Sequence, residues 1–221
     1  MKLIIVRHGD PDYEHDSLTE KGCREAELLS DRLTRLDVKE FYCSPLGRAK
    51  KTASYTLEKL GRTAVICDWL REFDTPPVID PETGERRLAW DQLPAVWTAI
   101  PEYYDKDNWV NAPMMRDADM AKYVGAVNDG IDKIIEDHGY KRCGNYYSAV
   151  TPNTDTIVLF CHFGVTCVIL GHILGLSPMI LWHGGVTLPT SVTTLVTEER
   201  REGIAYFRMN GFGDISHLYA G

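Results

Sequence analysis

The feature that most constrains the fold is an aliphatic run that occurs twice and stops in the same way. Leu3-Ile4-Ile5-Val6 ends at Arg7-His8-Gly9, and Thr156-Ile157-Val158-Leu159-Phe160-Cys161 ends at His162-Phe163-Gly164. A short apolar run closed by a polar turn is the pattern of a strand buried on both faces, as in parallel sheets covered by helices. Between these runs the periodicity alternates. Thr19 is placed to cap a helix with Glu20 and Glu25 early and Ala26, Leu29, Leu33 and Leu36 at helical spacing, through about residue 36. Phe41-Tyr42-Cys43 reads as a second strand closed by Ser44-Pro45, and Ala49, Thr52, Ala53, Leu57 and Leu60 then recur at helical spacing up to Gly61. Ala64 to Cys67 reads as a third strand leading to Leu70-Arg71-Glu72-Phe73. Residues 121–138 form an amphipathic helical pattern ended by Gly139, and an apolar helix through Leu174 follows His162-Phe163-Gly164. Ser191 to Thr197 and Ile204 to Met209 read as two further strands around a turn. Strand and helix in alternation predict an α/β fold, a three-layer sandwich with a mostly parallel central sheet and helices on both faces.

The alternation breaks from Asp74 to about Met120, a segment rich in proline that also carries Trp90, Trp97 and Trp109. We read it as a lid or substrate-specificity insertion at about 74–120 within one domain spanning 1–221. Apolar residues make up 44% of the chain and charged residues 25%, which excludes disorder and coiled coil. The net charge of −8 argues against a non-specific nucleic-acid or anionic-membrane binder, because phosphate contacts need surplus Lys and Arg. No apolar run approaches the roughly 18 residues of a spanning helix, and Met1 to Val6 reaches Arg7 too soon for a signal peptide. The expectation is a cytoplasmic protein. Of six cysteines without a Cys-x-x-Cys pair most read as small buried hydrophobes, and exposed strands near the C-terminus would permit a homodimer.

In open α/β sheets the ligand site lies beyond the carboxyl ends of the strands. Those positions carry Arg7 and His8 after strand one, Arg48 after strand two, Glu72 after strand three and His162 after the late strand. Two guanidinium groups and two imidazoles at one sheet edge make a local anion pocket in an acidic protein, and its natural guest is a phosphoryl group. Positioned cations supply most of the catalysis of phosphoryl transfer, so the sequence calls for no metal and no cofactor. One histidine attacks if its other ring nitrogen is tied to a backbone carbonyl, and Glu72 is the candidate acid for the leaving oxygen, with Asp10 in reserve. Asp10 and His183, the latter in Leu181-Trp182-His183-Gly184-Gly185, are candidates for the pocket rim. His15, His138, His172 and His217 read as structural or surface groups.

Five ordered motifs carry a family resemblance. They are Arg7-His8-Gly9, Leu18-Thr19-Glu20-Lys21-Gly22, Tyr42-Cys43-Ser44-Pro45-Leu46-Gly47-Arg48-Ala49 followed by Thr52-Ala53, Leu70-Arg71-Glu72, and Val158 through Gly164. Together they resemble the histidine phosphatase superfamily, which includes cofactor-dependent phosphoglycerate mutases and fructose-2,6-bisphosphatases. The resemblance implies a phosphoglycerate mutase-like fold, His8 as the residue phosphorylated, Arg7, Arg48 and His162 as the phosphate clamp, and Glu72 as the proton donor. Three departures narrow it. Asp10-Pro11-Asp12-Tyr13 replaces the family's usual run ending in Asn; Glu85-Arg86-Arg87-Leu88-Ala89-Trp90 meets Asp91 where mutases continue into proline; and Phe163 stands where the acid-phosphatase branch has Asp. The expectation is a histidine acid-type phosphatase, a metal-independent hydrolase of a small phosphorylated metabolite working through phosphohistidine. Mutase-type phosphoryl transfer and an inactive module that only binds phosphate esters are the alternatives. A cysteine-dependent phosphatase fails on spacing, since Cys43 and Arg48 are five apart and Cys161 meets Cys167 at the sixth position. A metal phosphoesterase built from His8, Asp10, Asp12 and His162 is opposed by Arg7 beside the metal.

Overall fold

The computed structural model describes residues 1–219. The chain divides into two compact units, one of Met1–Glu72, Ile134–His162 and Thr187–Gly221, the other of Phe73–Lys133 and Phe163–Val186.

The first unit is built on an eight-stranded sheet. Its strands are β1 (Lys2–Arg7), β2 (Val38–Cys43), β3 (Val65–Ile66), β4 (Tyr140–Cys143), β5 (Tyr146–Ala149), β6 (Thr156–Cys161), β7 (Val192–Arg201) and β8 (Ile204–Asp214), in the spatial order β3-β2-β6-β1-β7-β8-β5-β4. The first four in that order pair in parallel, and the rest are antiparallel. The α/β class therefore stands, with a mixed sheet: the parallel half holds the repeated run, and hairpins at Gly203 and Gly144 turn the other half antiparallel. β3 is only two residues long and lies at the edge, with Val65 and Ile66 about half exposed. The expected buried third strand is thus a short rim, because Ala64 and Cys67 fall outside the ladder.

Two helices of this unit follow from their caps. In α1 (Glu20–Leu33), the Thr19 hydroxyl accepts the Gly22 N–H at 3.0 Å, Glu20 sits at the positive end of the helix dipole and Arg32 at the negative end. Helix geometry stops at Leu33, and Arg35 and Leu36 continue only as tighter turns bonded to Arg32 and Leu33. α2 (Gly47–Leu60) ends at Gly61 with φ of +62°. Leu29 and Leu33 of α1 and Ala49 and Ala53 of α2 bury against Ile4, Val6, Phe41, Val158 and Phe160 on one face of the sheet. Leu3, Ile5, Ile157 and Leu159, which point to the other face, are fully buried as well. Each such side chain contributes about 1.5–3 kcal/mol by leaving water, and burial on both faces holds the parallel strands in one register.

The second unit takes in the expected insertion. The helix α3 (Met120–Asp137) starts in it, and α4 (Phe163–Leu174) and α5 (Pro178–Gly184) belong to it. Tyr103 and Trp109 are buried, Trp109 meets Trp182 edge to face at 5.4 Å, and the Trp182 ring N–H donates to the Gly164 carbonyl at 2.9 Å. These aromatics form a core for this unit. Among the described residues, no helix is long and apolar enough to cross a membrane.

Candidate active site

The parallel register sets the site. Arg7 of β1 pairs with Cys161 of β6, so the residues that follow, His8 and His162, leave the sheet side by side with ring centroids 5.0 Å apart. Arg7 donates through Nη1 to the Thr187 carbonyl, while its Nε–H is buried without an acceptor among the described residues. Arg48, in the first turn of α2, likewise keeps a buried Nε–H without an acceptor.

His8 is 1% exposed. Its Nδ1 lies 2.7 Å from the Gly9 carbonyl oxygen. A carbonyl only accepts, so Nδ1 carries the ring proton and Nε2 keeps its lone pair. Burial pushes the His8 pKa from 6.5 down to about 4, and Arg7 and Arg48 push the same way against the Gly9 bond and Asp16. The ring is therefore neutral at neutral pH.

The turn that carries His8 is held backbone to backbone. The Gly9 N–H donates to the Thr52 hydroxyl at 2.9 Å, and that hydroxyl donates to the Arg48 carbonyl at 2.8 Å. A Cβ on Gly9 would stand 2.8 Å from the Gly22 carbonyl oxygen, and one on Gly22 would stand 2.3 Å from that of Asp10. Side chains do not fit at either position, which is the physical reason both motifs carry glycine.

Arg48 is oriented by a carboxylate from the loop that follows Gly9. Asp16, at φ of +44°, accepts the Gly47 N–H at 2.6 Å through Oδ2 and Arg48 Nη1 at 2.8 Å through Oδ1. It serves as the missing N-cap acceptor of α2, whose own cap position is Leu46. Partial burial pulls the Asp16 pKa up, but the bonds from Gly47 and Arg48 outweigh it and hold the carboxyl below its usual range. The Tyr13 ring lies 5.5 Å from the Arg48 guanidinium carbon. The loop that departs from the family run thus brings a carboxylate and an aromatic face to Arg48.

His162 is fully buried, and its Nε2 lies 2.7 Å from the Ser44 hydroxyl, which accepts the Leu46 N–H at 3.2 Å. Burial lowers the His162 pKa further than that of His8, and Arg48, Arg7 and Arg71, joined by His8 once it is protonated, push the same way. The motifs contain Ser44 and Thr52 without marking either as a site residue. Glu72 is half-buried two residues past the fully buried Leu70, and its neighbour Arg71 is exposed.

The two rim candidates differ in surroundings. Asp10 accepts the Thr19 hydroxyl at 2.7 Å and faces Lys21 at 3.5 Å, so its carboxylate holds the start of α1. His183 lies in the second unit, where Nδ1 donates to the Met179 carbonyl at 2.8 Å, Nε2 accepts the Gln92 N–H at 3.2 Å and the ring stacks on Trp97. Burial lowers its pKa. Among the described residues, no group of three or more His, Cys, Asp or Glu side chains is arranged to hold a metal ion.

The buried neutral histidines fix the sign of a pH effect. A histidine whose folded pKa is depressed stabilises the fold fully above its unfolded pKa of 6.5, and that stability drains away as the pH falls toward the folded value. For His8 the drop from 6.5 to about 4 corresponds to about 3 kcal/mol. Urea unfolding in buffers free of multivalent anions should show the midpoint falling between pH 6.5 and 4. His8→Ala should flatten that slope, and an equal slope in both proteins would contradict the assignment.

The chain matches the model of the histidine phosphatase superfamily (branch 1) over residues 3–210, and it belongs to that family. A probable phosphatase of Schizosaccharomyces pombe is 24% identical over 99% of this chain and 95% of its own. A 2,3-bisphosphoglycerate-dependent phosphoglycerate mutase of Thermoplasma acidophilum is 36% identical, over 29% of this chain and 38% of that protein. Among solved structures, a mutant phosphoserine phosphatase of Entamoeba histolytica in complex with phosphoserine superposes with a TM-score of 0.61 at 17% identity, covering 98% of both chains. Such a likeness establishes the fold.

Proposed function

We propose that the protein is a metal-independent phosphomonoester hydrolase that passes the phosphoryl group through His8. The observation that carries this reading is the pair of buried guanidinium Nε–H groups of Arg7 and Arg48, without acceptors among the described residues, beside two neutral imidazoles. A buried donor left unpaired costs about 1–3 kcal/mol, and a phosphate dianion relieves two of them at once. Arg7, Arg48 and His162 hold the non-bridging oxygens. Ser44 donates its hydroxyl proton to His162 Nε2, which puts the ring proton on Nδ1 as a donor to phosphoryl oxygen. His8 Nε2 attacks phosphorus, the bond to the ester oxygen breaks, and Glu72 gives the leaving alkoxide its proton. Water then attacks the phosphohistidine, returns a proton to Glu72 and releases inorganic phosphate.

Phosphatase is favoured over mutase by the Asp91 that interrupts the basic segment, and a small phosphorylated metabolite is the substrate class that a dianion pocket of this kind serves. The test is a phosphomonoester panel run with a mutase assay beside it and with rapid acid-free quenching. Acid-labile, base-stable phosphate on His8 and a rate indifferent to EDTA are expected. Activity lost in EDTA and restored by zinc or manganese would overturn the reading, as would binding of esters without turnover across the panel.

A further inference from the structure

The His8 peptide is pinned from both sides, and one pin leads away from the pocket. The carbonyl of His8 accepts the Thr190 N–H at 3.1 Å, and the N–H of the same peptide unit, on Gly9, donates to Thr52. That peptide plane carries the Gly9 carbonyl into place, and this carbonyl sets the His8 tautomer. Thr190 is fully buried at φ of +57°, a left-handed conformation that a β-branched residue adopts only when its surroundings enforce it.

The enforcing contacts run to the surface. His217 is 6% exposed, and its Nε2 lies 3.1 Å from the Thr190 hydroxyl, while its Nδ1 faces Arg32 Nη1 at 3.5 Å. Arginine only donates, so Nδ1 accepts and Nε2–H donates to Thr190, whose hydroxyl in turn donates to the Pro189 carbonyl at 2.7 Å. Arg32 is itself held by Asp214 at 2.7 Å. Burial, with Arg32 beside it, lowers the His217 pKa to about 4, so the ring stays neutral as this chain of bonds requires. Arg32 and His217 line a surface cavity of about 430 Å³ with Leu28, Asp31, Arg35 and Ser216.

We infer that Thr190 and His217 are positioning residues for the nucleophile: the Arg32–His217–Thr190 chain holds Thr190 left-handed, and Thr190 thereby fixes the His8 peptide and the ring tautomer. This rests on His8 being the nucleophile, so the experiment has one readout that needs no turnover. Nitrogen-15 NMR of the histidine rings should show His8 in the parent protonated on Nδ1 and bare on Nε2 at pH 7. His217→Phe and Thr190→Gly should each give a mixture of tautomers. Thr190→Gly reaches φ of +57° without backbone strain, and Thr190→Ser, which keeps the hydroxyl, should match the parent.

On phosphomonoesters, His217→Phe and Thr190→Gly should each lower kcat by about tenfold or more, while the affinity for inorganic phosphate stays within about twofold. The double variant should fall no further than the worse single one. A lower melting temperature with unchanged kcat and an unchanged His8 spectrum would assign both residues to the fold alone and overturn the inference. Equal losses of kcat and phosphate affinity would overturn it too, since they mean collapse of the pocket. An inactive parent with the predicted tautomer change in the variants would sink the hydrolase reading and leave the positioning role standing.

Discussion

His8→Ala should lower hydrolysis of every phosphomonoester by at least about 10⁴-fold, while inorganic phosphate still binds. The two effects separate because they rest on different atoms. Attack needs the lone pair on Nε2, which the Gly9 carbonyl secures by engaging Nδ1, and alanine removes it entirely. Binding needs the buried donors of Arg7 and Arg48, which the substitution leaves in place. The variant also loses the trappable phosphohistidine. Stopped-flow turnover and equilibrium titration with phosphate check both halves. Residual activity within about tenfold of the parent would transfer the attack to water and refute covalent catalysis.

Glu72→Gln should show the second largest effect, and its signature is selectivity. An alkyl phosphate has a leaving group that must be protonated as it departs, whereas a nitrophenolate leaves unaided. General acid catalysis contributes about 10²–10⁴-fold, so the alkyl ester should slow by that factor and the nitrophenyl ester by about tenfold at most. Rates for a series of esters, plotted against leaving-group pKa, should steepen in the variant. Parallel lines for the two proteins would remove Glu72 from the acid role and bring Asp10 forward, whose carboxylate is occupied by Thr19 and Lys21 in the present structure.

Much of this was legible in the sequence, because buried strands announce themselves as aliphatic runs and a parallel register turns two such runs into neighbouring ends. The pairing of Arg7 with Cys161 is the step that makes Arg7-His8 and His162 one site. The start of α1 was legible for a local reason: Thr19 and Glu20 cap the helix from within three residues. What escaped the sequence is long-range and polar. Asp16 caps a helix that begins 31 residues later, and nothing in its neighbours signals that reach. His217 lies 27 residues from Thr190 and reads in the sequence as a structural or surface group, since a histidine's hydrogen-bond partner leaves no periodic trace. The hairpin of β4 and β5 was also missed. Its turn, Gly144-Asn145, joins two four-residue strands too short and too polar to stand out.

The close approach of Gly9 to Gly22 limits where this pocket can be remodelled. Two main chains in van der Waals contact act as a welded joint, so a methyl group at either position would lever the His8 turn off the first helix. The tip at Tyr13 to His15 is freer to change, closed by a ladder only two residues long, whereas Asp16 beside it is tied to Gly47 and Arg48. There Tyr13 can be exchanged, its side chain standing largely in water, without disturbing the joint beneath it.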